Sequence, residues 1–307
     1  MILDYLVLCK TEVTNGTDAV PTAAANALRT IGRAIPALNL SNIQRGIIKQ
    51  SFGDMPHIID QNGNTTLTLE VELKGSGTAG TAPDWSPLMK ACGNIEVLPA
   101  DANGVVGTVK YSPRTQGIEK CTIYVYIDGT LWKMVGAVGT CSITGNIGEL
   151  PKASFSMTSP HMLPVNAAVP AGAAFDPSVP HVISTTDVVG DGGTIKVGSF
   201  GIDLGVDVQE HKTIGGHEFN VSGRAPTASI SKDSVSTITE WTSLLSNTQV
   251  SLTATFNGGV GNNVNLTANK AVRDSVAFGE RAEKDLLDVA YNLYETTSDD
   301  QWTMVIT

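Results

Sequence analysis

Charge is scarce in this 307-residue chain: only 16% of residues are Asp, Glu, Lys or Arg, where an ordinary soluble protein carries about 25%. Aromatic residues are also few, at 6%, so any core has to be built from aliphatic side chains. No apolar run approaches the ~20 residues that a membrane-crossing helix needs. The opening Met1–Lys10 has no basic leader segment and carries Asp4 inside its apolar run, which reads as a first strand rather than a secretion signal. Four cysteines, Cys9, Cys92, Cys121 and Cys141, form no CxxC pair and have no histidine at zinc spacing. They read as reduced core residues rather than as disulfides or a metal site.

Catalytic signatures are missing as well. The chain has no GK[ST] phosphate loop, no GxSxG elbow and no HExxH helix, each of which carries a specific chemistry. Gly75–Gly80 is glycine-rich but lacks the lysine of a phosphate loop, so it reads as a turn. His211 and His217 flank a Gly-Gly turn without further ligands. The expectation is a protein that is not an enzyme and needs neither cofactor nor metal.

What the chain does have is 41% apolar residues and 31 glycines, with abundant Thr, Ser and Asn, the composition of strands and turns. Net charge is −10, which disfavours tight duplex binding through a basic face. The acid is uneven: residues 1–165 carry 12 Lys/Arg against 13 Asp/Glu, and residues 166–307 carry 8 against 17.

The same order of elements recurs in both halves. Alternating strand residues at Thr66–Leu73 precede a short helix around Pro83–Cys92, stopped by Gly93. Strand residues at Thr227–Ile230 precede a helix at Thr237–Leu245. Trp85 with Leu88, and Trp241 with Leu244, are the expected core anchors of these helices. Hairpin signals follow at Asp128-Gly129 and Asn257-Gly258. Residues 280–288 combine helix propensity with strand alternation further on, and strand is expected from about Leu286. The division is a first domain at 1–165, including an N-terminal arm at 11–43, a proline-rich linker at 166–194, and a second domain at 195–307.

The most specific stretch is Gly75-Ser76-Gly77-Thr78-Ala79-Gly80-Thr81-Ala82-Pro83-Asp84-Trp85-Ser86-Pro87-Leu88-Met89-Lys90-Ala91-Cys92-Gly93. With Glu12–Thr22, Thr122–Gly129, Gly136–Thr140, Ile202–Gly205, Ile214–Gly216 and Arg224–Pro226, it resembles the tail tube (major tail) proteins of long-tailed bacteriophages, in the group with two tube domains per chain. The likeness spans nearly the whole length and contains no catalytic residue.

That resemblance implies a mainly β fold of two tandem tail-tube-type β-sandwich domains, each with one short flanking helix. It implies a structural virion protein of a non-contractile tail, assembled in the host cytoplasm as stacked trimeric, pseudo-hexameric rings. The implied partners are further copies of itself and the tape-measure, tail-tip and tail-terminator proteins. DNA would pass through the lumen without specific binding, and no membrane is involved. Asp54, His57, Asp60 and Asn62, with Asp207, Glu210 and His211, are candidates for contacts between stacked rings. Asp274, Glu280, Glu283, Asp285 and Asp288 are candidates for an acidic lumen lining that repels phosphate. A β-sandwich adhesin or ligand-binding module is the alternative reading of the same composition.

Overall fold

The computed structural model describes residues 4–50, 56–98, 107–191, 194–233, 237–281 and 284–307. The chain opens with β1 (Tyr5–Thr11), α1 (Ala23–Asn26), β2 (Ala27–Leu28) and β3 (Ala37–Asn39). A small hairpin of β4 (Asn42–Ile43) and β5 (Ile58–Ile59) leads into β6 (Asn64–Glu72) and α2 (Ser86–Ala91). Then come β7 (Asn94–Val97), β8 (Val109–Pro113), β9 (Cys121–Ile127), β10 (Thr130–Asn146) and β11 (Lys152–Pro160). The connecting segment holds β12 (Val165–Asn166), β13 (Val188–Asp191) and β14 (Thr194–Ile195). The second half contains β15 (Val197–Asp203), β16 (Val206–Thr213), β17 (Gly216–Arg224), β18 (Thr227–Asp233) and α3 (Thr237–Leu245). It ends with β19 (Gln249–Asn257), β20 (Asn263–Arg281), β21 (Lys284–Leu293) and β22 (Thr303–Ile306). The architecture is mainly β, built from large antiparallel sheets.

The two halves repeat one pairing scheme. β6 pairs β11, β11 pairs the C-terminal part of β10, and the N-terminal part of β10 pairs β9. In the second half β18 pairs β21, β21 pairs the C-terminal part of β20, and the N-terminal part pairs β19. Both long strands therefore serve two sheets. A bend is needed for that, and both strands are bulged there: the register of β10 shifts between Met134 and Ala137, and that of β20 between Ala268 and Ala271 and again between Arg273 and Ser275. Bulges bend and twist a strand in this way. In β10 the bulge residue Gly136 has φ of 69°, and its N–H donates to the Glu12 carboxylate at 2.6 Å. Glu12 is buried and also accepts from Thr122 Oγ1 at 2.8 Å and from Gly16 N–H at 2.6 Å. One acidic side chain thus fixes the start of the arm to the bend of β10.

Cross-pairing joins the halves. Residues Ser142–Asn146 of β10 pair Ser199–Asp203 of β15, with Gly145 opposite Phe200. On the opposite layer β22 pairs β8. The result is a long polar-faced sheet in the order β3, β6, β11, β10, β15, β18, β21, β20. Its inner side carries Phe155, Cys141, Ile143, Ile230, Val289 and Tyr291 into one contiguous apolar cluster shared by both halves.

Several local expectations shift. The helix after Gly80 is shorter than Pro83–Cys92, because Pro87, not Pro83, takes the first-turn position where its missing N–H costs nothing. The N-terminal arm contains a helical turn at α1, and β2 pairs β1. β21 begins at Lys284, before Leu286, since ladders to both β18 and β20 outweigh the local helix preference. The connecting segment is tied down on both sides, with Lys74 Nζ donating to Ser178 O at 2.9 Å and Asn262 Nδ2 donating to Val179 O at 2.5 Å. Among the described residues no helix is long and apolar enough to cross a membrane.

Candidate functional site

Strand alternation puts hydroxyl and acidic side chains on the outer face of the long sheet. One row across the sheet reads Glu70, Ser154, Ser142, Asp203, Thr227 and Asn292; the next reads Glu72, Lys152, Thr144, Gly201, Ser229, Ala290 and Ser275. A third is Asn146, Ser199, Ser231, Asp288 and Ala277. Apart from Glu70, Glu72 and Lys152 these side chains are small, and the face forms shallow depressions of about 370 and 290 Å³. Asp274 lines the first, where its Oδ1 accepts from Asn292 Nδ2 at 3.0 Å, and Asp288 lines the second.

The remaining acidic candidates fall elsewhere. Glu280 and Asp285 are exposed and opposite one another at the far end of the β20–β21 ladder. Alternation puts Glu280 on the side of Phe278, not on the face of Asp288. Glu283 lies outside the described residues.

Two hairpins leave the long sheet at the same end, β4–β5 between β3 and β6, and β16–β17 between β15 and β18. His57 and Asn62 are exposed and Asp60 partly so, beside β5; Asp54 lies outside the described residues. Backbone and side-chain hydrogen bonds from Asn62 hold Asp60 below the usual carboxylate range, helped by the charge of Lys212 on the other hairpin. Asp207, Glu210 and His211 are exposed along β16. Hydrogen bonds from Ser222 and Gln209 lower Asp207. Partial burial pushes Glu210 up, but hydrogen bonds from Lys212 (3.0 Å) and His217 (2.8 Å) win and hold it low.

The helix anchors differ between halves. Trp85 and Leu88 are fully buried, and the indole N–H of Trp85 donates to Lys74 O at 2.9 Å. Trp241 and Leu244 are only half-buried, with Trp241 packed against the ring of Phe278 at 5.2 Å.

Sequence reading missed a buried ion network beneath α3. Lys232 Nζ meets Asp191 at 2.7 Å and Glu240 at 2.8 Å, and Arg273 meets the same two carboxylates at 3.0 and 2.8 Å. Tyr291 donates to Asp191 at 2.7 Å, and burial followed by the nearby Asp191 charge drives its phenol far upward. Burial opposes the charge of Arg273, but Glu240 and Asp191 outweigh it and raise its pKa. The partners come from five separate elements, so no local pattern announces them.

One sheet edge is left open. Beyond Val272, the outer edge of β20 pairs with no strand among the described residues. Its counterpart in the first half, the C-terminal part of β10, is covered by β15. An open edge of this kind is a template for another chain. No family model matches the chain, and no curated protein sequence matches it.

Proposed function

We propose that the chain is a structural subunit that polymerises head to tail into stacked rings of three copies, forming the hollow tail tube through which a phage genome is delivered. The observation carrying this reading is the β10–β15 joint inside the chain. β20 repeats β10 in the second half but its matching edge is open, so the same joint made between copies continues the sheet from one chain to the next. Such a contact is heterologous and makes a ring when the rotation closes. Closure removes every open edge of the sheet. Three copies supply six repeats, hence a pseudo-sixfold ring.

The polar face would then line the channel. The rows are mostly small hydroxyl side chains, their one long cation, Lys152, stands opposite Glu72, and Asp203, Asp274 and Asp288 repel phosphate. The β4–β5 and β16–β17 hairpins, leaving one end of the sheet together, suit contacts with the next ring. On this reading the protein is not an enzyme and uses no cofactor. Sedimentation velocity on the purified chain tests it. The expected result is concentration-dependent association into trimers and larger stacks; a monomer at every concentration would contradict it.

A further inference from the structure

We infer that the β4–β5 hairpin of one copy lies across β20, β21 and the end of α3 in the neighbouring copy and locks the joint between them; the inference rests on the ring reading above. Inside the chain the equivalent hairpin, β16–β17, makes this contact with the first half. β16 and β17 run against β10, and β17 against β11. At the base of the hairpin, Leu204 N–H donates to Cys141 O at 2.9 Å and Val206 N–H to Thr140 Oγ1 at 3.1 Å. Lys120 meets Glu218 of β17 at 3.4 Å. A Cβ on Gly93, just past α2, would lie 3.6 Å from Val221 Cγ1. Leu204 and Phe219 are 1% and 4% exposed.

The ladders carry this contact over residue by residue. The shared bulge sets Met134 with Ala268 and Ala137 with Ala271, and the second bulge of β20 leaves Asp274 without a counterpart. Thr140 then corresponds to Ser275, Cys141 to Val276 and Ile143 to Phe278. On the other side, Asp203 opposite Thr227 corresponds to Ala37 opposite Thr66, so Leu204 corresponds to Leu38 and Val206 to Leu40. Between copies, Leu38 N–H therefore faces Val276 O, and Leu40 N–H faces the Ser275 hydroxyl.

Both surfaces are bare in a single copy. Leu38 is 37% exposed where Leu204 is buried, and Ile43, Ile58 and Ile59 of the hairpin are 52%, 54% and 50% exposed. A lone two-stranded hairpin is marginal in water, and exposed apolar patches mark contact sites. On the receiving side, Leu245 at the end of α3 is 84% exposed and Tyr294, just past β21, 48%. The first half inserts β7 and β8 after α2, but only three residues separate α3 from β19, so the end of α3 stays open.

The backbone ladder alone is weak here. Phe278, 66% exposed, falls opposite Pro36, which has no N–H to give. Ala34 N–H already donates to Tyr5 Oη at 2.8 Å. Apolar burial under the hairpin compensates for these missing donors. The hairpin tip projects past the joint, as Ile214 does on β16–β17, and stays available to the next ring.

The test combines Leu40→Cys with Ser275→Cys and treats the assembled protein with a short bismaleimide. The four native cysteines are buried, and the two single variants are controls. The expected result is covalent dimers and trimers from the double variant, ending at the trimer, and monomers from each single one. Ile43→Asp with Ile58→Asp, a cross-strand pair on the hairpin, should keep the parent's circular dichroism and associate roughly tenfold more weakly or worse. If the parent assembles and the double variant stays unlinked, the hairpin contact is wrong while the ring reading stands, even where the acidic pair weakens stacking. If the parent itself remains monomeric, the ring reading fails and takes the hairpin contact with it.

Discussion

Gly145 of β10 lies opposite Phe200 of β15, and a Cβ at position 145 would run into the Phe200 ring and Ile183 Cδ1. The joint between the two halves therefore depends on one missing side chain. Gly145→Val is expected to destabilise the fold by about 1–3 kcal/mol through overpacking, read as a lower urea midpoint. Adding Phe200→Ala should restore part of that loss, because contacting residues couple. Equal and additive losses would mean the two sites do not share the joint.

Arg273 tests the network under α3. Its side chain is 5% exposed and pairs with two carboxylates that are themselves 1% and 13% exposed. Arg273→Met leaves Asp191 and Glu240 with Lys232 as their one cation, and removing one partner of a buried pair costs roughly 3–5 kcal/mol. The exposed pair Lys212–Glu210, at 3.0 Å, is the control: breaking it should cost no more than about 1 kcal/mol. Similar losses from both variants would show that burial does not set the cost.

Much of the fold was legible in the residues. Thr66–Leu73 and Cys121–Ile127 alternate or run apolar as strands do, and Thr237–Leu245 is a helix as read. The repeated order of elements corresponds to the repeated pairings of β6, β9, β10 and β11 with β18, β19, β20 and β21. The sequence did not disclose that β10 and β20 each bend through two sheets, because a bulge is set by tertiary contacts such as Glu12 on Gly136. Nor could it place Phe278, which reads as an ordinary strand residue until its strand is seen to end a sheet. The acidic candidates divided for a similar reason: alternation separates Asp274 and Asp288 from Glu280 only once the registers are known.

Acid should act on Asp84 in a defined direction. Burial raises its pKa, with Asp176 adding to the shift and Lys74 opposing it. The ionised carboxylate is thus a cost to the folded state. That cost is fully present above the raised folded pKa and disappears below the ordinary value of 3.8. Asp84→Asn is expected to raise the melting temperature at pH 7, with the gain shrinking as pH falls toward that value. A gain that grows on acidification would reverse the sign and contradict the burial argument.

The polar face carries its own prediction. Asp274→Lys with Asp288→Lys puts two cations per copy where duplex DNA is proposed to pass. Assembled tubes of this variant should retain duplex DNA in a salt-dependent way, with a log–log slope steepening by about 0.9 for each phosphate neutralised, while parent tubes retain none. Tubes of the variant that assemble normally and hold no DNA would place this face away from the channel.

Electron microscopy of the concentrated protein tests the central claim most directly. End-on averages should show hollow rings with a near-sixfold outline that resolves into three copies, each spanning two adjacent repeats joined as β10 is to β15. Side views should show these rings stacked into open-ended tubes. Solid filaments, rings of six whole chains, or isolated monomers would contradict the account.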